Sequence, residues 1–190
     1  MNPRVIKYLR RVIKNNLDSL SKKNLAKRKD LLFHLKDGVT VEVYGDTKEN
    51  SAEERCLHSF NMYTTCYNAG IQVPEPYSAI TISCPKNQGD LTLLTFWMIL
   101  RERVPYPMKI NELMGRKFEL ASEQYFSQLE RIANLGIVVK DSSIGESSQN
   151  VIYSRKRKKV YMIDPDDWVR DDSEKLDDFR RRVALRHKCY

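Results

Sequence analysis

A chain of 190 residues is long enough for one or two small domains with an apolar core. Hydrophobic residues make up 41% of it and aromatic residues 9%, which excludes a wholly disordered protein. The net charge of +8 at pH 7 favours an anionic partner. No apolar run approaches the ~20 residues of a membrane span, and the N-terminus has no apolar signal core. We therefore expect a soluble protein of the cytoplasm, or of the nucleus if the source is a eukaryote or its virus.

Residues 1–37 are predicted to form a basic helical arm. Apolar residues recur at helical spacing from Val5 to Leu20 and again from Leu25 to Leu35, where Gly38 follows as a stop. Residues 1–36 contain eleven Lys or Arg and two Asp. The arm is expected either to lie on nucleic acid or an anionic membrane, or to pack its apolar stripe on the rest of the chain.

Residues 38–89 predict a small α+β unit. Residues 39–44 alternate with period two, as a strand does. Ser51 and Glu54 form a capping box that opens a helix, and Gly70 stops it. The prolines of residues 71–77 favour an extended crossing, and residues 79–83 read as a short strand.

Residues 90–163 predict helix, helix, turn, helix and hairpin. The apolar residues 91–100 are expected to form the first helix and residues 109–114 the second. The third helix, 122–135, has Ser122 as N-cap and Gly136 just beyond its C-terminus. Its inward residues are Tyr125, Phe126, Leu129, Ile132 and Ala133, and its outward residues are Glu123, Gln124, Ser127, Gln128, Arg131 and Asn134. Residues 151–163 alternate as a hairpin around a basic turn, Arg155–Lys159.

This segment resembles the winged helix-turn-helix repressors of bacteria and archaea. The likeness lies in residues 110–113 (Ile-Asn-Glu-Leu), in the Leu129, Ile132 and Gly136 spacing, and in the basic turn before Val160. The resemblance implies a non-catalytic, DNA-binding protein of transcription regulation whose third helix enters the major groove of double-stranded DNA. The groove-facing candidates are Gln124, Ser127, Gln128 and Arg131; the phosphate-contacting candidates are Lys109, Arg116 and Lys117; the wing candidates are Arg155, Lys156, Arg157, Lys158 and Lys159. Two departures affect the register: the turn before Ser122 is about one residue long, and the wing region is large.

Residues 164–190 predict a C-terminal helix. Acidic residues crowd its front half and basic residues its end, which suits the helix dipole. Leu176, Phe179 and Val183 form a stripe that would be core or the seam of a homodimer. The whole chain is thus expected to be α+β: basic N-terminal helices, a small α/β unit, a winged helix-turn-helix and a terminal helix.

A second set of motifs lies at residues 135–141 (Leu-Gly-Ile-Val-Val-Lys-Asp), 150–153 (Asn-Val-Ile-Tyr) and 160–164 (Val-Tyr-Met-Ile-Asp). These motifs resemble the C-lobe of small atypical kinases, and the resemblance implies other roles. In those enzymes one aspartate orients the acceptor hydroxyl, and an asparagine and a second aspartate hold magnesium. By position these roles would fall on Asp141, Asn150 and Asp164, with Glu54 as an ion-pair partner. Asp141 and Asn150 are nine residues apart instead of five, and neither a glycine-rich phosphate loop nor the expected lysine is present. The resemblance therefore leaves two alternatives, a degenerate kinase-like protein and an atypical active kinase.

Other chemistry finds little support in the sequence. The cysteines show no Cys-x-x-Cys pairs, and the three histidines lie in no nucleophile or metal motif. We expect reduced thiols, no metal site, no cofactor and no catalytic residue. A third hypothesis is a basic structural or assembly protein that coats nucleic acid or docks on anionic membrane. Such a protein would bind according to salt alone, whereas a regulator would prefer one duplex sequence.

Overall fold

The computed structural model describes residues 7–11, 13, 30–35, 38–85, 93–139, 150–171 and 173–187. The chain combines α-helices with antiparallel sheets, which confirms the predicted α+β class. It divides into two compact units, residues 1–60 with 77–101 and residues 61–76 with 102–190. None of the described helices is both long enough and apolar enough to cross a membrane.

Unit 1 is built on a four-stranded sheet with the strand order β1-β2-β4-β3. Its elements are β1 (Asp30–His34), β2 (Val39–Tyr44), β3 (Pro76–Pro85), β4 (Leu93–Glu102) and the first half of helix α1 (Ala52–Asn68). The predicted strand at residues 39–44 is confirmed, and the predicted strand at 79–83 is longer than expected. The helix opened by the capping box is also confirmed, and Gly70 follows it with φ of +70°.

The prediction of a helix running to Leu35 is wrong for the described residues 30–34. These residues form β1, which pairs antiparallel with β2. The backbone reverses at Gly38, whose φ is +74°, and the Leu35 N–H donates to the Val39 carbonyl at 2.8 Å. Tertiary pairing with β2 therefore outweighs the helical spacing of the leucines. Leu25, where this predicted helical stretch starts, and Ser21, which the sequence offers as its N-cap, lie outside the described residues.

The helix predicted at residues 91–100 is also wrong, because residues 93–102 form β4. A continuous apolar run does not by itself distinguish a buried helix from a strand buried on both faces. Here Phe96, Met98 and Leu100 join one core cluster, while Ile99 and Arg101, which point to the other face, are buried as well. Burial on both faces thus removes the alternation that marks a strand.

Residues 7–11 and 13 are helical, and Leu9 and Ile13 are buried in the core cluster of unit 1. Lys7, Arg10 and Arg11 are exposed. The described part of the arm therefore packs its apolar stripe on the sheet and leaves its cations in solvent. This agrees with the expectation that the arm packs on the rest of the chain.

Among its described residues, unit 2 contains two helices and five short strands besides the second half of α1. Its elements are β5 (Pro107–Lys109), a 3-10 turn (Ile110–Glu112), α2 (Arg116–Asn134), β6 (Ile137–Val139), β7 (Val151–Ser154), β8 (Lys159–Met162), a second 3-10 turn (Pro165–Asp167), β9 (Trp168–Arg170) and α3 (Glu174–His187). Strands β5, β7 and β8 form one sheet in that order, and β6 pairs with β9. The predicted hairpin and the predicted C-terminal helix are confirmed; the second predicted helix, at 109–114, is a single 3-10 turn.

Ser122 does not cap a helix, so that prediction is wrong. Helix α2 begins at Arg116, six residues earlier, and Gly115 is its N-cap. Residues 116–120 are mostly good helix formers, and no breaker separates them from Ser122, so the helix continues through it. Ser122 is buried within the helix, and its hydroxyl has no hydrogen-bond partner among the described residues. The C-terminal prediction is confirmed: Gly136 follows the helix with φ of +72°.

The core of unit 2 lies around the inner face of α2. All five residues predicted to point inward are buried: Tyr125, Phe126, Leu129, Ile132 and Ala133. The stripe of α3 that would be core or a dimer seam is also buried within this unit: Leu176, Phe179 and Val183. The stripe therefore belongs to the core of unit 2.

Candidate nucleic-acid interface

The basic turn, Arg155–Lys159, closes the β7–β8 hairpin and is exposed throughout. The Lys158 N–H donates to the Ser154 carbonyl at 2.7 Å, and Lys158 adopts a left-handed φ of +53°. Five consecutive cations repel one another, and only solvent or an anion screens them. The turn is therefore a defined structure that concentrates positive charge at the surface.

Ser154 joins the basic turn to the segment before β5. Its side chain is fully buried, and its hydroxyl donates to the Pro105 carbonyl at 2.7 Å. The same hydroxyl accepts the Arg157 N–H at 3.3 Å. In addition, the Arg155 N–H donates to the Tyr106 carbonyl at 3.2 Å. Two of these bonds fix the hairpin against residues 105–106, and the bond from Arg157 ties the turn to Ser154.

Gln124 of α2 holds the other side of the turn. Its amide nitrogen donates to the Lys158 carbonyl at 3.3 Å, and its amide oxygen accepts the Val160 N–H at 3.0 Å. One side chain thus satisfies a donor and an acceptor of the hairpin backbone. Gln124 and Lys158, both predicted site residues, are brought together, and Gln124 acts as a brace of the turn.

Arg157 differs from its basic neighbours because its charge is matched. Its guanidinium forms an ion pair with Glu102 and donates to the Tyr161 hydroxyl at 2.6 Å. The hydrogen bond to Glu102, followed by the one to Tyr161, raises the pKa of Arg157 above its ordinary value. The other four cations, Arg155, Lys156, Lys158 and Lys159, form no ion pair with any residue that the structure describes.

Lys109 lies on the same sheet face as Lys159. In the β5-β7-β8 sheet, Lys109 is opposite Ile152, and Ile152 is opposite Tyr161. Opposite residues share a face, and residues two apart along a strand do so too, so Lys159 joins them. Lys109 is exposed at the edge strand of this face, and Tyr161 on the same face is buried.

Arg116 and Lys117 are exposed at the start of α2. Lys117 precedes Gln124 by seven residues, which places it on the same helical face at about 10 Å of helix rise. That face is the one whose Gln124 binds the basic turn. Of Arg116 and Lys117, it is therefore Lys117 that lies on the helical face of Gln124.

The remaining residues predicted to face a DNA groove are engaged within unit 2. Gln128 accepts the Gln72 N–H at 2.9 Å, and Arg131 donates to the Ala69 carbonyl at 2.9 Å. Ser127 is half-buried. With Gln124 bound to the hairpin, three of the four predicted groove-facing side chains bond the backbone of their own unit. The sequence analysis missed this role and also missed Tyr106 and Ser154; the Pro-Tyr-Pro break at 105–107 was the available signal.

The residues of the kinase-like reading are partly brought together. The Ile163 N–H donates to the Asn150 carbonyl at 2.8 Å, which makes Asn150 and Asp164 neighbours at the base of the β7–β8 hairpin. Asp164 has a left-handed φ of +56°, and its N–H donates to the Tyr63 hydroxyl at 3.0 Å. Asp141 lies outside the described residues. Glu54 binds the Ser51 backbone N–H and hydroxyl, each at 2.9 Å, so its carboxylate serves the helix cap.

Comparison with known proteins adds no relative: no protein-family model matches this chain, and no curated protein matches it significantly.

Proposed function

We propose that this chain binds nucleic acid without catalysis, using the basic turn as its principal contact. The observation that carries the proposal is the braced turn itself: four exposed cations form no ion pair with the described residues, while Ser154 and Gln124 fix the backbone beneath them. Polyanion binding gains free energy when such cations replace the counterions on phosphates. A fixed turn also loses little conformational entropy on binding.

A nucleic acid fits this surface better than a membrane does. Binding to a lipid surface needs apolar side chains to insert as well as charge. The basic turn consists of cations alone, and Leu9 and Ile13 of the N-terminal arm are buried in the core of unit 1.

The mode of binding that we propose differs from insertion of a helix into a DNA groove. Gln124, Gln128 and Arg131 each bond backbone groups of unit 2, so reading base edges would require these bonds to break. Contacts to phosphate carry no sequence information by themselves. We therefore expect binding with weak sequence preference, as in the structural or assembly role, with regulation of transcription as the less supported role.

Neutralising the basic turn tests the proposal. In the hairpin variant, Lys156, Lys158 and Lys159 are each replaced by Gln. In a matched control, three exposed cations of α3, Lys175, Arg181 and Arg182, are replaced by Gln, so the net charge falls equally. Fluorescence anisotropy with a labelled oligonucleotide should show affinity lower by about tenfold or more for the hairpin variant and little change for the control. Equal losses in both variants, or no binding by the wild type, would reject the proposal.

A kinase-like role is the second candidate, favoured by the adjacency of Asn150 and Asp164. Carboxylate and amide oxygens are ligands that magnesium accepts. Two of the three predicted positions are thus neighbours; against this, the chain has neither a glycine-rich phosphate loop nor the lysine that kinases use to bind the phosphates. An Asp164→Asn variant keeps a residue that tolerates the left-handed backbone. If the candidate holds, ATP with magnesium stabilises the wild type against heat and this variant much less; equal shifts would exclude it.

A further inference from the structure

Tyr106 is the most exposed aromatic residue among those the structure describes, with 65% of its surface accessible. It precedes β5 directly, and its carbonyl accepts the Arg155 N–H of the basic turn at 3.2 Å. A large ring that is left in water contributes little to folding, because the gain from an aromatic side chain comes with burial. The stability of the fold therefore does not account for the exposed ring of Tyr106, whose backbone bonds the basic turn.

The backbone of Tyr106 is also held in an unfavourable conformation. Its φ is +48°, a left-handed value that aromatic residues seldom adopt. Contacts on both sides maintain it: Pro105 accepts the Ser154 hydroxyl, and Pro107 is the register partner of Ser154. Strain that the surrounding structure maintains is common at binding sites. Here the strained backbone of Tyr106 lies between two prolines that the β7 strand holds in place.

An exposed ring with a row of cations is the combination that binds single-stranded nucleic acid. Unpaired bases stack on aromatic faces, whereas the faces of paired bases are covered by their neighbours in the duplex. Cations on the adjoining backbone then follow the phosphates. On the basic turn, these are Arg155, Lys156, Lys158 and Lys159, with Lys109 on the adjoining sheet face.

We infer that the nucleic acid bound by the basic turn is single-stranded and that Tyr106 stacks on one of its bases. The inference rests on the proposed function and adds to it the class of ligand. It agrees with the engagement of Gln124, Gln128 and Arg131 within unit 2, which leaves the side chains suited to reading a duplex groove already bonded. Stacking is tolerant of sequence because every base has an aromatic face.

The test compares the binding of single-stranded oligonucleotides with the binding of a duplex. Wild-type protein is titrated into labelled twelve-nucleotide oligo(dT) and oligo(U), and into a duplex of the same length, with a 2-aminopurine in one oligo(dT) to report stacking. Three variants are measured in parallel: Tyr106→Leu, which removes the ring but keeps an apolar side chain; Tyr106→Phe, which keeps the ring; and Tyr67→Leu, a control at another exposed tyrosine of unit 2. The DNA and RNA arms establish which backbone is preferred.

The inference expects tighter binding of the single strands than of the duplex. Tyr106→Leu should weaken single-strand binding by about tenfold and abolish the 2-aminopurine quenching, while Tyr106→Phe and Tyr67→Leu change neither. Equal binding of single strand and duplex, unaffected by Tyr106→Leu, would overturn the inference and leave the proposed function standing. No binding of any nucleic acid would reject the proposed function itself. Unchanged unfolding temperatures of the variants would show that the loss is not one of folding.

Discussion

Lys158 combines two properties that a single substitution can separate. It carries one of the exposed charges of the basic turn, and its φ of +53° is a conformation in which glycine is more stable than lysine. We expect Lys158→Gly to weaken nucleic-acid binding severalfold while leaving the unfolding temperature unchanged or slightly raised. Binding by anisotropy and thermal unfolding followed by circular dichroism measure the two effects.

The control for that experiment is Lys156→Gly, which removes the same charge from the same turn. Lys156 does not have a positive φ, so glycine there only adds freedom to the unfolded chain. Lys156→Gly should therefore lower both affinity and unfolding temperature. A similar loss of stability in the two variants would contradict the role of the left-handed backbone at Lys158.

Glu102 limits the charge that the turn presents, because it neutralises Arg157. Replacing Glu102 with Gln would release that guanidinium toward phosphates, while the Tyr161 hydroxyl still holds it near the hairpin. We expect Glu102→Gln to increase the affinity for nucleic acid by a few fold and to lower thermal stability slightly, since a half-exposed ion pair contributes little. A decrease in affinity would mean that the pair is needed to shape the turn.

At the scale of elements, the start of α1 depends on a cap that pH should weaken. The Ser51 backbone N–H and then the Ser51 hydroxyl, both donating to Glu54, lower the pKa of that carboxyl below 4.5. A lowered pKa in the fold gives stability above the unfolded value and loses it as pH falls through the folded value. Glu54→Ala should therefore lower the unfolding temperature by a few degrees at pH 7 and by less at pH 3.

Glu53→Ala is the matched control, because Glu53 also lies in the first turn of α1 but makes no described bond to the cap. It should lose only the weaker interaction of a carboxylate with the helix dipole. Thermal melts of both variants at the two pH values measure the difference. Identical pH dependence for the two variants would contradict the assignment of the cap to Glu54.

The sheet of unit 1 contains a buried ion pair between β2 and β4. Glu42 and Arg101 are 2.9 Å apart, and the accessible fractions of their side chains are 4% and 6%. Removing one partner leaves the other charge buried, so Glu42→Leu should destabilise the chain by roughly 3–5 kcal/mol in urea unfolding. The double variant with Arg101→Met should recover most of that loss. Additive losses would show that the two side chains act independently.

The elements that could be predicted from the sequence are those set by neighbouring residues. The Ser51–Glu54 capping box, the glycine after α2 and the inward face of α2 depend on residues within one or two turns, and all three are confirmed. Strand β4 could not be predicted in the same way. Its apolar residues suit a buried helix equally well, and only pairing with distant strands decides between the two.

In the candidate site, too, features set by neighbouring residues could be predicted and features set by distant contacts could not. The basic turn is evident as five consecutive cations, whereas the role of Gln124 depends on a hairpin 34 residues away in the chain. An outward polar residue on an isolated helix looks available for a ligand, and only the tertiary structure reveals that its amide is bonded. Tyr106 could not be predicted for the opposite reason: tyrosines are usually half-buried, and only the tertiary structure shows that this ring is exposed and that its carbonyl bonds Arg155.

At the scale of the whole molecule, the basic turn of unit 2 combines exposed positive charge with a backbone that hydrogen bonds hold in place. The net charge of +8 alone favours many anionic partners. Two features favour nucleic acid among these partners. The basic turn is braced by α2 and by residues 105–106, and Tyr106, whose backbone bonds the turn, has an exposed ring. If this surface is the binding site, removing its cations should reduce the slope of log affinity against log salt.

The most direct test is therefore the salt dependence of oligo(dT) binding for the wild type and for the variant with Lys156, Lys158 and Lys159 replaced by Gln. Each phosphate contact with a single strand contributes about 0.7 to the slope of log affinity against log salt. We expect the magnitude of the slope to fall by about 2 in the variant and to stay unchanged in the control that loses three cations of α3. The same slope for the wild type and the hairpin variant would contradict the assignment of the basic turn as the nucleic-acid interface.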